Sequence, residues 1–299
     1  MILLRILSRL PLAVLYVLSD IMFLLAYYVI GYRKKLVNKN LKNSFPEKSL
    51  AERKKIAKSF YRNLCDYAVE TLKLVTISPT VLQKRMYYTN PEVVLKYRDQ
   101  GQSMVLLSSH QFNWEWLLAS GMLSLNMPID FVYQPINNSL VDSFMQTCRT
   151  RFGGKAIKRN DVARELIKRK SIQRGIAIVA DQYPGYESDK KYSTVFLNQQ
   201  TVFFYGSQQM ANLTQYPVLY GSVKRLRRGY YSCTLVPIAE PPYHKDSETV
   251  IENYVRTVEQ VIREHPDGWL WSHNRWKKRH LQEKNNNPIR PASTQYLPG

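Results

Sequence analysis

Met104-Val-Leu-Leu-Ser108-Ser-His110-Gln-Phe-Asn113-Trp114-Glu115-Trp116 carries three structural signals in succession. Met104–Leu107 is an apolar run of buried-strand length, and a polar loop holding His110 follows it. Asn113 then stands where a helix N-cap belongs, ahead of Trp116-Leu-Leu-Ala-Ser120. A strand, a loop and a helix in this order make half of a βαβ unit. The loop delivers a histidine at the carboxyl end of the strand, and Glu115 comes five positions later. In an uninterrupted helix, positions five apart lie roughly 140° apart around the axis and share no face. If Asn113 caps a helix starting at Trp114, Glu115 falls in its first turn, where a carboxylate is favoured, and His110 stays on the loop. Imidazole and carboxylate can then meet as a general base and its orienting partner. A surface histidine beside an ordinary first-turn glutamate fits the same spacing.

The rest of the chain decides between these two readings. The capping box Ser49-Leu-Ala-Glu52 predicts a helix to about Val75, with Ile56, Phe60, Leu64, Tyr67 and Leu72 at helical spacing. Pro91 opens a short helix that ends near Gly101. A strand over Ile129–Tyr133 and a helix over Ser139–Arg151 follow, then the turn Gly153-Gly154. Lys155–Arg159 is expected as a strand, with Asp161 capping a helix over Val162–Ile172. Ile176–Ala180 is expected as a buried strand ending at Asp181-Gln182. Beyond it, a helix is expected near Ser207–Thr214, strands at about Val218–Ser222 and Tyr230–Val236 around a basic turn Lys224–Arg228, and a helix from about Ser247 to Glu264. Helices alternating with apolar strands indicate an α/β sheet with crossover connections. Ligand sites in such sheets gather at the carboxyl ends of strands. His110, Arg159 and Asp181 all sit at such ends, which favours the functional reading of His110.

The N-terminal run Leu10–Tyr32 is about long enough to cross a bilayer and is interrupted by Ser19, Asp20 and Gly31. It is too long for a cleaved signal peptide, and no small-residue cleavage site precedes Arg33-Lys34-Lys35. Asp20 near its middle is costly in a spanning helix. A helix dipping into one leaflet with Asp20 facing the protein suits the flanking basic residues and Tyr27, Tyr28 and Tyr32. Spanning and dipping both remain open. The domains expected are a membrane anchor over 1–35, a catalytic domain over 36–283 and a disordered tail over 284–299.

Forty-three Lys and Arg against 23 Asp and Glu leave a net charge of +20. Such an excess calls for an anionic partner, and without a nucleic-acid reader motif that partner is an anionic membrane lipid or an acidic protein rather than DNA or RNA. The heavier basic load downstream of the apolar run favours a cytoplasmic catalytic domain. Cys65, Cys148 and Cys233 form no CxxC pair, and the histidines other than His110 all fall in the last fifth of the chain. No metal site is expected, because HExxH and comparable spacings are absent. A GxSxG nucleophile elbow is absent too. A histidine–carboxylate pair without a nucleophile activates a substrate hydroxyl or amine directly, and direct attack suits acyl transfer from a thioester.

His110-Gln-Phe-Asn-Trp-Glu115 resembles the H-x4-D/E motif of the glycerolipid and lysophospholipid acyltransferase superfamily. More narrowly, it resembles the HxxNWE variant of the lipid A biosynthesis late (lauroyl/myristoyl) acyltransferases. Asn40-Leu-Lys-Asn-Ser-Phe-Pro-Glu47 is similar to their NLxxAFPE segment, Arg149-Thr-Arg151-Phe-Gly153 to RxRxG, and Ala180-Asp181-Gln182 to pDQ. Phe203-Phe204-Tyr-Gly206 resembles FFG, and Trp269-Leu-Trp-Ser-His-Asn-Arg275-Trp-Lys277 resembles WLHRRWK. Ser272-His273-Asn274 and the inserted Tyr205 depart from the family pattern, and they bear on acceptor identity more than on reaction type.

The resemblance implies a mixed, mostly parallel sheet flanked by helices, as in glycerolipid acyltransferases. It implies a membrane-associated enzyme that moves a fatty acyl chain from acyl carrier protein, less often coenzyme A, to a hydroxyl of a lipid A precursor at the cytoplasmic side of the bacterial inner membrane. The thioester is a co-substrate, and no separate cofactor is implied. His110 would be the base and Glu115 its orienting partner. Arg149, Arg151, Asp181, Gln182 and, near the rim, Arg275 would bind substrate, and Arg159 faintly echoes the superfamily's phosphate-contacting arginine block. Trp269, Trp271 and Trp276 read as core or interfacial aromatics. The other readings are an acyltransferase of this fold acting on a phospholipid or aminolipid, and an inactive membrane-surface scaffold.

Overall fold

The computed structural model describes residues 2–185 and 188–277, so Arg279, His280 and the tail expected over 284–299 lie outside the described residues. The chain enters through helices α1 (Ile2–Arg9), α2 (Leu12–Leu24), α3 (Lys34–Ser44), α4 (Leu50–Lys73) and α5 (Pro79–Arg85). Strand β1 (Met86–Tyr88) and helix α6 (Glu92–Asp99) lead into β2 (Met104–Ser108), α7 (Trp114–Ser124), β3 (Ile129–Tyr133) and α8 (Ser139–Thr150). Strand β4 (Lys155–Lys158), α9 (Val162–Lys168) and β5 (Gly175–Val179) follow. A hairpin of β6 (Lys191–Phe196) and β7 (Gln199–Phe204) precedes α10 (Gly206–Thr214), β8 (Val218–Arg227), β9 (Tyr230–Ala239) and α11 (Thr249–Glu264).

Seven strands form one sheet in the order β1-β9-β8-β2-β5-β3-β4, and β6-β7 stands apart as a two-stranded sheet. Every neighbouring pair in the large sheet is parallel except β8–β9. The sheet is therefore mixed and mostly parallel, with helices on both faces. Strand periodicity divides the core accordingly. Val105, Leu107, Ile176 and Ile178 face a cluster that includes Val255 and Val258 of α11. Met104, Leu106 and Ala177 face the opposite cluster, which includes Trp116 and Leu117 of α7.

Local chemistry explains the elements on which the site depends. The capping box of α4 is complete, with Glu52 N donating to Ser49 Oγ at 3.2 Å and Ser49 N to Glu52 Oε2 at 2.7 Å. Asn113 Oδ1 accepts from Trp116 N at 2.9 Å, so the cap of α7 is made as its sequence predicts.

Three local expectations are corrected. Helix α9 ends at Lys168 rather than Ile172, because Arg169 and Arg174 turn back to the buried carboxylate of Asp130. Asp161 makes no side-chain cap, and its carboxylate holds Arg164 at 2.9 Å instead. The basic segment 224–228 is not a loop: β8 continues to Arg227, and the turn narrows to Arg228-Gly229. Arg225 and Arg228 are drawn onto Asp66 of α4, at 2.9 and 2.7 Å.

The N-terminal run is a helix on the flank of the domain, and its last turn, Leu25–Val29, widens into a π-helix. Leu12, Leu15, Ser19 and Phe23 form the one buried stripe of α2, packed on α4. Polar groups on that side also point inward. Tyr16 Oη donates to Glu70 at 2.8 Å, Ser19 Oγ to Asp66 at 2.7 Å, and Asp20 takes Arg228 at 2.8 Å. Val17, Ile21, Leu24, Val29 and Ile30 stand exposed on the other side.

Candidate active site

His110, Asp181, Gln182 and Arg159 gather at one edge of the sheet, beyond the carboxyl ends of β2, β5 and β4. Strand register explains the central pair. Ser108 of β2 stands opposite Val179 of β5, so two residues further along each chain His110 meets Asp181. Tyr254 of α11 ties the two strand ends together, its hydroxyl donating to Ser108 O at 2.9 Å and accepting from Ala180 N at 3.2 Å.

Asp181 Oδ1 lies 2.6 Å from His110 Nδ1. Both carboxylate oxygens also accept from the His110 backbone N at 3.1 Å, and Oδ2 accepts from Trp269 Nε1 at 2.7 Å. Burial pushes the Asp181 carboxyl up, but the charge of His110 and the hydrogen bonds from His110 and Trp269 outweigh it and hold it below the usual carboxylate range. An ionised Asp181 accepts the proton of Nδ1, which leaves the lone pair on Nε2. Nε2 is then the basic nitrogen.

The carboxylate on the His110 ring is therefore that of Asp181, and not that of Glu115 as the spacing allowed. Glu115 is 2% exposed in the first turn of α7. Its oxygens are engaged by Arg149 of α8, with Nε at 2.8 Å and Nη2 at 2.6 Å, and by Trp114 Nε1 at 3.0 Å. The fork-to-fork geometry suits a planar guanidinium on a carboxylate. Burial works against the charge on Arg149, and the Glu115 pair more than restores it, so its pKa lies above the ordinary arginine value. Trp114 completes the wall, lying 4.9 Å from the His110 ring and stacked on Tyr67 at 4.1 Å.

His110, Glu115, Arg149, Arg159 and Gln182 all line one cavity of about 310 Å³. Below this polar mouth the walls are apolar: Leu106, Leu117, Leu118, Leu125, Ile129 and Phe131, with Tyr88 and Gly121. The cavity lies between α7 and the sheet and follows β3 from Tyr133 back to Ile129, a distance of about 13 Å at the usual rise per strand residue. Arg159 sits at the mouth, paired with Asp189 at 2.5 Å and lying 4.2 Å over the ring of Phe204.

Three expected substrate contacts lie elsewhere. Asp181 is 1% exposed, is taken up by His110 and Trp269, and is not part of the cavity wall. The guanidinium of Arg151 bonds the carbonyl of Leu74, outside the cavity wall. Arg275 is not at the rim. It is 1% exposed, donates to Val202 O at 2.7 Å and lies 4.5 Å over Phe203. Trp271 and Trp276 are buried, as expected of core aromatics, whereas Trp269 does more by fixing Asp181. No sequence signal linked Trp269 to Asp181, 88 positions apart. Among the described residues, no group of three or more His, Cys, Asp and Glu side chains comes together as a metal set.

The family described as bacterial lipid A biosynthesis acyltransferase matches residues 1–278. The chain belongs to this family. It is accordingly an acyltransferase, and the edge that carries His110 is its candidate active site. Among curated relatives, it is 24% identical over 275 residues to the lipid A biosynthesis lauroyltransferase of Escherichia coli K12, covering 91% of this chain and 88% of that one. It is 21% identical over 236 residues to lipid A biosynthesis acyltransferase 2 of Shigella flexneri, covering 78% and 74%. With the lipid A biosynthesis myristoyltransferase of Escherichia coli K12 it shares 26% identity over 143 residues, 48% of this chain and 43% of that one. The ordered motifs thus belong to a similarity that extends along nearly the whole chain.

Proposed function

We propose that this protein is a membrane-associated O-acyltransferase that moves a fatty acyl chain from an acyl carrier protein thioester to a hydroxyl of a lipid A precursor. The observation that carries this reading is the His110–Asp181 couple at the polar mouth of a deep apolar cavity. The acceptor hydroxyl approaches Nε2, which takes its proton as the oxygen attacks the thioester carbonyl. The tetrahedral intermediate collapses with cleavage of the C–S bond, and the imidazolium returns its proton to the departing thiolate. Asp181 holds the tautomer and stabilises the imidazolium. The hydrocarbon chain lies in the cavity, where its burial contributes about 0.8 kcal/mol per methylene. The thioester is the co-substrate, and these steps use no other cofactor.

The exposed apolar side of α2 supports docking into the cytoplasmic leaflet of the inner membrane. Because Tyr16, Ser19 and Asp20 are tied to the domain, a helix lying along the interface or dipping into it fits better than a free spanning segment. The charge of +20 suits an acidic carrier protein, the phosphates of the acceptor and anionic lipid.

Mass spectrometry of lipid A from a deletion strain tests the acceptor. Loss of one secondary acyl chain, restored by the wild-type gene and not by His110→Ala, is the expected result. Intact lipid A with an altered phospholipid or aminolipid pattern would move the reaction to that acceptor. Unchanged lipids at normal protein levels would leave only a scaffold. Purified enzyme offered the same acyl chain on carrier protein and on coenzyme A decides the donor.

A further inference from the structure

Glu70 is a buried carboxylate with three hydroxyl or amide donors around it and no role in the chemistry above. It is wholly buried in the last turn of α4. Tyr16 Oη of the N-terminal apolar helix donates to Oε1 at 2.8 Å, and Tyr231 Oη of β9 reaches Oε2 at 2.9 Å. Asn113 Nδ2 donates to Oε2 at 2.7 Å, while Asn113 Oδ1 accepts from Trp116 N. The indole Nε1 of Trp116 returns to the backbone carbonyl of Glu70 at 2.8 Å. Both polar ends of Asn113 are therefore used, one to start α7 and one to anchor that start on α4.

The loop that this anchor holds is not relaxed. Phe112 sits at φ 49°, a left-handed conformation that costs a side-chain-bearing residue on the order of 1–2 kcal/mol. Its ring packs on Gly268, where a Cβ would fall 2.6 Å from the ring. A strained segment keeps its geometry only while its neighbours hold it, and Asn113 is the next residue along. His110 lies three positions before this residue and Glu115 two after it.

We propose that Glu70 is a positioning residue for the catalytic loop, and that it makes the apolar N-terminal helix part of the active site through Tyr16, Glu70 and Asn113. The helix then does more than bring the enzyme to lipid. Its seating on α4 sets where His110 and Glu115 stand. The proposal rests on the acyl-transfer reading for its kinetic test and on the hydrogen-bond chain for its structure. A glutamine at position 70 keeps the shape, but with one acceptor oxygen it cannot take all three donors. Tyr16→Phe removes only the contribution of the helix.

The test uses the full-length enzyme in detergent, with steady-state kinetics and melting temperature measured for each variant. Tyr16→Phe is expected to lower kcat about tenfold with KM and vesicle binding unchanged, since small displacements of catalytic groups are costly. Glu70→Gln should lower kcat at least as much, and adding Tyr16→Phe to Glu70→Gln should cost nothing further, as befits one chain of contacts. Tyr28→Phe, an exposed change in the same N-terminal segment, should leave kcat as it was. Normal kcat in a folded Glu70→Gln variant, or fully additive losses, would overturn the proposal. If Glu70→Gln does not fold, Tyr16→Phe and amide exchange of Phe112–Trp116 carry the test. Faster exchange there, without a change in the sheet, is expected, and unchanged exchange refutes the coupling. An inactive wild type would instead count against the acyl-transfer reading, and exchange would still report on the coupling.

Discussion

At the level of single residues, the pairing of His110 with Asp181 changes what each substitution should do. Asp181→Asn presents an amide to Nδ1, favours the tautomer with its proton on Nε2 and leaves the base blocked. A fall in kcat of about 10²–10⁴-fold is expected, comparable to His110→Ala, at little cost in KM. Glu115→Gln should act differently. It strands the Arg149 guanidinium in a largely buried place, which predicts a loss of stability of roughly 3 kcal/mol alongside reduced activity, read from thermal unfolding. Asp181 also marks the acid limit of stability. Its pKa is depressed in the folded state, so its contribution is present in full above the ordinary carboxylate value and is lost as pH falls through the depressed one. Thermal scans below about pH 4 should show a shallower decline for Asp181→Asn than for the wild type. His110 and Glu115 were both expected at the site from strand-end placement and the motif, and both line the cavity. Their relation was not legible, because a loop and a first helical turn leave the side-chain directions open until a neighbouring strand supplies a competing carboxylate.

At the level of elements, β2, β5 and α11 place His110 and Asp181, while α4 and α7 hold the loop between them and β3 walls the cavity. Helix α4 is legible in the sequence because its capping box is local. The β6–β7 hairpin is not, since its turn uses Leu197-Asn198, both at positive φ (50° and 60°), where Asn-Gly would have announced a type I′ turn. Strands β8 and β9 were shortened in expectation for a similar reason: a run of basic residues reads as a solvated turn unless Asp66 is known to lie beneath it. The wall of the cavity yields its own prediction. A Cβ at Gly121 would come within 2.8 Å of Tyr88 Oη and 3.2 Å of Ile129, so Gly121→Leu should plug the lower cavity. Competition between thioesters of different length should then favour shorter donors over the wild-type preference. Glu70 gives α4 a pH signature of the opposite sign to Asp181. Burial, offset by Asn113, Tyr16 and Tyr231 and reinforced by Asp66, raises its pKa from 4.5 to about 7. The folded state therefore holds the extra proton, and its stabilising effect is complete below 4.5 and lost as pH rises through about 7. The melting temperature of the wild type relative to Glu70→Gln should decline over that window, and a flat difference would contradict it.

At the level of the whole molecule, the charge and the N-terminal helix act on the same surface problem. A chain with a net charge of +20 and a row of exposed aliphatic side chains on α2 has two ways to hold a bilayer. Electrostatic attraction fades with salt over a Debye length of about 8 Å at physiological ionic strength, whereas apolar burial does not. Binding to anionic vesicles should weaken with added salt and persist in part. The double substitution Val17→Glu and Ile21→Glu, on the exposed side, should abolish the residual salt-resistant fraction in vesicle sedimentation while leaving turnover in detergent within about twofold. Retained salt-resistant binding would place the membrane contact elsewhere.

The sequence by itself determined the sheet-and-helix alternation, the strand-end histidine, the helix capped by Asn113 and, through ordered motifs, the family. These depend on local rules: periodicity, capping and the chemistry of residues within a few positions of one another. Only the tertiary structure decided that β2 lies beside β5 rather than β3, and that order brings Asp181, 71 residues away, onto His110. It also decided that Glu115 serves Arg149, that Arg275 is core, and that an apolar helix reaches the catalytic loop through Glu70. Strand order and side-chain competition are settled by the packing of distant segments, and no pattern within a short window records them.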